Sequence, residues 1–101
     1  MLIDRRTFSV KSGKMDEALA LLKAEQQRIR LVFGYVHAIR NYVDLVATFD
    51  SLTTESEWES LAEWEKFWSE WSLTPQAKGF LEKWWLLTET GGSHDLWTLI
   101  D

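Results

Sequence analysis

The chain has 101 residues, no cysteine, seven tryptophans and a formal charge of −5, from eleven basic and sixteen acidic side chains. That charge repels phosphate backbones and anionic bilayers, so nucleic acid and membrane are not expected partners, and the missing thiols exclude disulfides, iron–sulfur clusters and thiolate zinc sites. A chain this short buries only about 60 to 65% of its unfolded surface, while each indole takes roughly 150–250 Å² from water, so some of the tryptophans should face a cavity or a second subunit.

Leu2 to Lys11 alternates and carries β-branched and aromatic residues, which predicts a strand broken by Ser12 and Gly13. From Lys14 to about Arg30, Met15, Ala18, Leu19, Leu22 and Ile29 recur at helical spacing. The β-rich stretch Leu31 to Leu52 reads as a hairpin turning at Arg40 and Asn41. Thr54 and Glu57 form a capping-box signature, predicting a second helix to Trp71. Thr74 and Pro75 suit the cap and first position of a short third helix ending near Leu87, and "HDLWTLI" after Gly91 and Gly92 reads as a last strand. The order β, α, β, β, α, extra short helix, β predicts an α+β ferredoxin-like βαββαβ sandwich with a four-stranded antiparallel sheet. No apolar run is long enough to span a bilayer, and charges at Asp4, Arg5 and Arg6 argue against a signal peptide. Residues 1–101 are therefore expected to form one domain in the cytoplasm.

With Arg40 and Asn41 as the loop, the strand period of two sorts the hairpin into faces. Val32, Gly34, Val36, Ala38, Val43, Leu45, Ala47 and Phe49 share an apolar face that should pack on the helices. Phe33, Tyr35, His37, Ile39, Tyr42, Asp44, Val46 and Thr48 share the other, too aromatic to be left in water. On strand one, Phe8 and Val10 face the helices, while Ile3, Arg5, Thr7 and Ser9 point away. That leaves Arg6 on the apolar side.

The run "RRTFSVKSGKMDEAL" from Arg5 to Leu19, the hairpin, "FDSL" and a Trp-rich second helix resemble the dimeric α/β-barrel superfamily, most closely its NIPSNAP-like and antibiotic-biosynthesis-monooxygenase-like members. The shared motif is Arg6, Thr7 and Phe8 on strand one, followed by Lys11, Gly13 and Lys14 leading into a helix. Ser12 stands where many relatives carry proline, and Arg40-Asn41 replaces a glycine-containing connection. The resemblance implies a homodimer whose sheets close face to face into a barrel. Members include cofactor-independent monooxygenases, aldoxime dehydratases, haem-degrading and dechlorinating enzymes and proteins of no known activity, and fold does not choose among them.

In the hairpin register His37 faces Asp44, with Tyr35 two residues along and Arg5 nearby. A carboxylate fixes an imidazole's tautomer and a phenol adds a donor, so His37, Asp44 and Tyr35 are the candidate catalytic groups for acid–base work on a carbonyl or enol. A structural cross-strand pair is the alternative. Arg5 could meet a ligand carboxylate. His94, beside Gly92 and Ser93, reads as a solvated loop residue. Two histidines without HxH or HxxxH spacing make no metal site, a haem on His37 alone is a remote reading, and no cofactor is expected. Ser12, Gly13 and Lys14 lack the remainder of a phosphate loop.

On the second helix Leu61, Trp64, Phe67, Trp68 and Trp71 fall within an arc of about 120°, with Glu63, Lys66 and Glu70 opposite. Trp58 flanks that stripe, and the third helix adds Phe80, Leu81, Trp84 and Leu87. Such stripes serve a core or wall a pocket. In the pocket reading Phe33, Tyr42, Trp58, Trp64, Trp68, Trp71, Trp84 and Trp85 join Arg5 around a largely apolar ligand, an aromatic polyketide-like or fatty-acyl compound with a carboxylate or carbonyl end. The competing reading is a non-catalytic or structural dimer whose aromatics serve only core and interface.

Overall fold

The computed structural model describes every residue except Leu45, Ala47, Thr48, Phe49 and Asp101. Its elements are β1 (Leu2–Ser9), α1 (Met15–Phe33), β2 (Ile39–Val43), β3 (Ser51–Trp58), α2 (Leu61–Trp71), α3 (Pro75–Leu87) and β4 (Ser93–Thr98). The sheet order is β2-β3-β1-β4, with every neighbouring pair antiparallel. This is the α+β ferredoxin-like arrangement expected from the element order.

Strand alternation sorts the sheet into two faces. In β1 the register sets Leu2 opposite Trp58, Asp4 opposite Ser56, Arg6 opposite Thr54 and Phe8 opposite Leu52. These residues, with Ile39 and Asn41 of β2 and His94 and Leu96 of β4, look toward the helices. Ile3, Arg5, Thr7, Glu55, Arg40, Tyr42, Asp95 and Trp97 occupy the opposite face. The expected orientation of strand one therefore holds, including Arg6 on the helix side.

Two apolar clusters join sheet and helices. One holds Val10, Ala18, Leu22, Leu52 and Trp84, and the other Tyr35, Trp58, Phe67, Trp71 and Ala77. Trp58, Trp71 and Trp84 are buried, each indole removing area worth up to about 4–6 kcal/mol at ~25 cal/mol per Å². Trp85 and Trp97 stay largely exposed.

The middle of the chain departs from the sequence expectation. Helix α1 continues past Arg30 and ends at Gly34, whose φ of 68° makes the left-handed turn that caps helices. Arg40 and Asn41 therefore lie inside β2 rather than in a turn, held by Arg40 Nη1 at 2.7 Å from Glu57 Oε2 and by reciprocal Gln26–Asn41 amide bonds of 2.9 Å. Strand β2 pairs with Ser56 to Leu52, so the predicted hairpin register, His37 opposite Asp44 included, does not form. Ile39 turns to the helix side as a result. The expected inward Leu45, Ala47 and Phe49 and outward Thr48 lie outside the described residues.

The second helix starts later than Thr54. Ser51 to Trp58 is a strand, with Thr53 and Thr54 suited to it by β-branching. The helix cap is Ser60, whose Oγ accepts from Glu63 N at 3.1 Å, the same serine/threonine-to-glutamate spacing six residues on. Helix α3 begins as predicted, with Thr74 Oγ1 accepting from Ala77 N at 3.2 Å and Pro75 following the cap.

Candidate functional site

Between the helix-facing side of the sheet and the three helices lies a cavity of about 220 Å³. Helix α1 lines it with Leu22, Glu25, Gln26 and Ile29, α2 with Phe67, Trp68 and Trp71, and α3 with Phe80, Leu81, Trp84 and Trp85. The sheet contributes Asp4, Arg6, Phe8, Ile39, Thr54, Ser56 and Trp58, and Tyr35 closes one side. Trp85 is 64% exposed while lining the cavity, so it stands at the rim.

The wall is mostly apolar, with Gln26, Thr54 and Ser56 as neutral polar groups and charge at two carboxylate clusters. Asp4 is 2% exposed, although strand alternation puts it on the face that should be hydrophobic. Arg6 Nε and Nη2 each donate to it over 3.1 Å, Trp64 Nε1 donates over 2.8 Å, and His94 Nε2 lies 2.9 Å from Oδ1. Four contacts from three side chains around one buried carboxylate compensate its desolvation, which is otherwise several kcal/mol. The Arg6 guanidinium also lies 4.2 Å above the Trp68 ring, a cation–π stack that fixes its plane at the cavity wall.

Glu25 is the second cluster. Arg28 Nε and Nη2 donate to its two oxygens at 2.8 and 2.6 Å, and Trp71 Nε1 donates to Oε2 at 2.7 Å. The carboxylate holds the Arg28 guanidinium pKa above its usual value, chiefly through that hydrogen bond. Trp64 and Trp71 lie seven residues apart, on one face of α2 two turns along. Between them, Trp68 keeps a buried Nε1–H with no partner among the described residues.

Tyr35 OH donates to the carbonyls of Glu57 at 2.6 Å and Ala38 at 3.0 Å. Burial pushes its phenol up to about 12, partly offset by the bond to the Glu57 backbone. Tyr35, Trp58 and Phe67 also line a second cavity of about 330 Å³, which includes Phe33, His37, Glu63, Lys66 and Glu70.

The residues singled out in the sequence thus fall into three places. Trp58, Trp68, Trp71, Trp84 and Trp85 line the cavity between sheet and helices, and Trp64 touches it through Asp4. His37, Tyr35 and Phe33 belong to the second cavity, where the carboxylate beside His37 is Glu63, 3.1 Å from Nε2, instead of Asp44. Asp44 lies beyond the end of β2, its Oδ1 accepting from Val46 N. Arg5 and Tyr42 lie on the sheet's other face, both beside Glu55, at 3.8 and 3.0 Å. Arg5 cannot reach the cavity, because adjacent strand residues point to opposite sides.

Sequence reasoning passed over Asp4 and Glu25, gave Arg6 no site role, and read His94 as a solvated loop residue, whereas it lies in β4 with Nε2 against the buried Asp4. The available signal was the Asp4/Arg6 alternation, two charges on the helix-facing side of an otherwise well-patterned strand, which is where a site breaks the local rule. Among the described residues no group of three or more His, Cys, Asp or Glu could hold a metal, and no helix is long and apolar enough to cross a membrane.

No family model and no curated protein matches the chain. Solved structures do. The fold is similar to that of a NIPSNAP domain protein from Burkholderia xenovorans (TM-score 0.81, 17% identity, covering 99% of this chain and 95% of that one). It is similar to a NIPSNAP family protein from Agrobacterium tumefaciens (TM-score 0.81, 16% identity, 99% and 93% covered). It is also similar to SnoaB, a cofactor-independent oxygenase from Streptomyces nogalater (TM-score 0.76, 12% identity, 99% and 93% covered). The resemblance read from the sequence is therefore present in three dimensions, and at these identities the likeness speaks for the fold.

Proposed function

We propose that the protein binds a small, largely apolar molecule in the cavity between sheet and helices, with the ligand's one oxygen-bearing end against Arg6. The observation that carries this reading is the Arg6 guanidinium, fixed by Asp4 and stacked on Trp68 at the wall of an otherwise aromatic chamber. Arginine has five N–H donors, of which Nε and Nη2 supply the bonds to Asp4. The planar fork suits a carboxylate or carbonyl.

Volume narrows the ligand class. An apolar cavity of about 150 Å³ takes up benzene, so about 220 Å³ suits one substituted ring or a short acyl chain. A multi-ring polyketide exceeds it. Cofactor-independent oxygenase or isomerase chemistry would use this same polar end, where an enol or phenol oxygen meets Arg6, and SnoaB makes oxygenation the first reaction to assay. His37 as an acid or base is supported only with Glu63 as its carboxylate, in the second cavity.

A homodimer belongs to the same reading. Ile3, Tyr42 and Trp97 line the sheet face away from the helices, with Tyr42 and Trp97 strongly exposed, and a second copy laid on that face would cover them. Light scattering on the purified chain is expected to give twice the monomer mass.

Binding is tested by titrating benzoate and benzamide into wild type and Leu81→Trp, a cavity-filling variant. Wild type is expected to bind at least one probe and to lose tryptophan fluorescence, while Leu81→Trp binds neither at an unchanged circular-dichroism spectrum. Equal binding by both proteins would move the ligand out of this cavity.

A further inference from the structure

The polar end of the cavity is electrically balanced before any ligand arrives. Arg6 cancels Asp4, and Arg28 cancels Glu25 on the other side. A neutral ligand oxygen disturbs nothing. A carboxylate adds one negative charge beside the buried Asp4 carboxylate, where an uncompensated charge is disfavoured.

His94 is placed to supply the missing charge. Its Nε2 lies 2.9 Å from Asp4 Oδ1, and its side chain is 43% exposed, so it touches the buried carboxylate on one side and bulk water on the other. Histidine is the side chain that ordinarily changes charge near neutral pH. The charged groups facing it are Asp4 and its cross-strand neighbour Arg6, both on β1. Helix α2 presents the Trp64 ring, 6.4 Å away, and β4's own Asp95 alternates to the far face opposite Arg5. A positive charge on the His94 ring thus faces Asp4 on one side and Arg6 on the other, and an anion that draws on Arg6 relieves the second, repulsive contact.

The backbone fixes this arrangement. Gly92 has φ of +98°, and a Cβ there would fall 2.3 Å from the Thr7 carbonyl oxygen. Only glycine lets β4 approach β1 so closely, in the register that sets His94 opposite Arg6.

We propose that the cavity takes small aromatic carboxylates together with one proton, accepted from solvent by His94 as the carboxylate meets Arg6. The inference rests on the ligand-binding reading of the cavity and names the charge state of its ligand. The step is an association: one proton from water joins the His94 ring, and no covalent bond in the ligand changes.

Calorimetric titration at about pH 8 in two buffers of different ionisation enthalpy counts protons directly. Wild type is expected to take up about one proton per benzoate and none per benzamide. His94→Gln is expected to lose the uptake and to weaken benzoate about tenfold relative to benzamide; its circular-dichroism spectrum reports folding. Three results overturn the proposal: benzoate binding without proton uptake, uptake that persists in His94→Gln, and binding of benzamide alone. Failure of wild type to bind either probe overturns the cavity reading beneath it, a result distinct from the other three.

Discussion

Two buried carboxylates face the same cavity, Asp4 from β1 and Glu25 from α1, and each is gripped by an arginine and by an indole of α2. They differ in where the arginine goes and in what else is attached. Arg28 sits one turn from Glu25 on the same helix and extends toward Phe33, 6.0 Å from the ring, outside the cavity lining. Arg6 lies on Trp68 in the cavity wall, and only Asp4 has a histidine between it and water. One construction therefore joins α2 to α1, while the other places a charge in the cavity wall. Surroundings rather than residue type separate strut from site.

The largest expected effect breaks the two apart. Asp4→Ala leaves Arg6 without its counter-charge in the wall and Trp64 N–H without an acceptor, and is expected to cost about 3–5 kcal/mol in urea unfolding. Glu25→Ala frees Arg28, which can swing to water from the helix surface, so its cost should be smaller, about 2–3 kcal/mol. Equal losses would mean that both clusters are struts. Addition of chloride or benzoate should recover part of the Asp4→Ala loss and none of the Glu25→Ala loss, because only Arg6 is left facing the cavity.

A second experiment keeps the neutral-pH behaviour of the Asp4 end separate from the alkaline behaviour of the protein. Tyr35 has its pKa raised from 10.0 to about 12, mainly by burial. The folded state then holds the phenolic proton more tightly than the unfolded state. The stabilisation is complete below about pH 10 and is lost as pH rises toward about 12, with an upper bound of about 2–3 kcal/mol at 1.36 kcal/mol per unit. Unfolding free energy measured from pH 9 to 12 should fall in wild type and in His94→Gln alike and decline less in Tyr35→Phe. A slope in that range that follows His94 would tie the alkaline limb to the Asp4 cluster instead.

How much of this was legible follows from which signals had competitors. Strand β1, the body of α1 and helix α3 read correctly because period, breaker and cap agree at Gly13 and at Thr74-Pro75. The middle misled because each cue has a twin. Gly34 after Arg30 is as good a helix terminator as a strand glycine, and Thr54/Glu57 imitates the cap that Ser60/Glu63 provides. Tertiary pairing chose between the twins, since Leu52, Thr54, Ser56 and Trp58 must lie beside β1. His94 was unreadable for a different reason: its partner Asp4 is ninety residues away in sequence and adjacent only through β1–β4 register. The one legible sign was the pair Asp4 and Arg6, two charges that strand period placed among apolar neighbours, and only the odd placement of Arg6 was noted, without a site being read from it.

The tryptophans of α2 allow the smallest and most discriminating test. Trp71 donates to Glu25, whereas the N–H of Trp68 is buried without a described partner. Removing a paired donor leaves a buried carboxylate short of a bond, about 1–3 kcal/mol, while removing an unpaired one relieves a desolvated group. Trp71→Phe should therefore destabilise by more than the lost ring area implies. Trp68→Phe should destabilise by less, under about 1 kcal/mol after its weaker stack on Arg6 is counted. Paired chemical denaturation of the two variants measures the difference, which vanishes if the indoles act only as apolar filling. Repeating the pair in the presence of benzoate returns to the original contrast between the clusters. If the proposed binding mode holds, ligand should raise the unfolding midpoint less in Trp68→Phe than in Trp71→Phe, because Trp68 carries the Arg6 guanidinium in the cavity wall and Trp71 carries the strut.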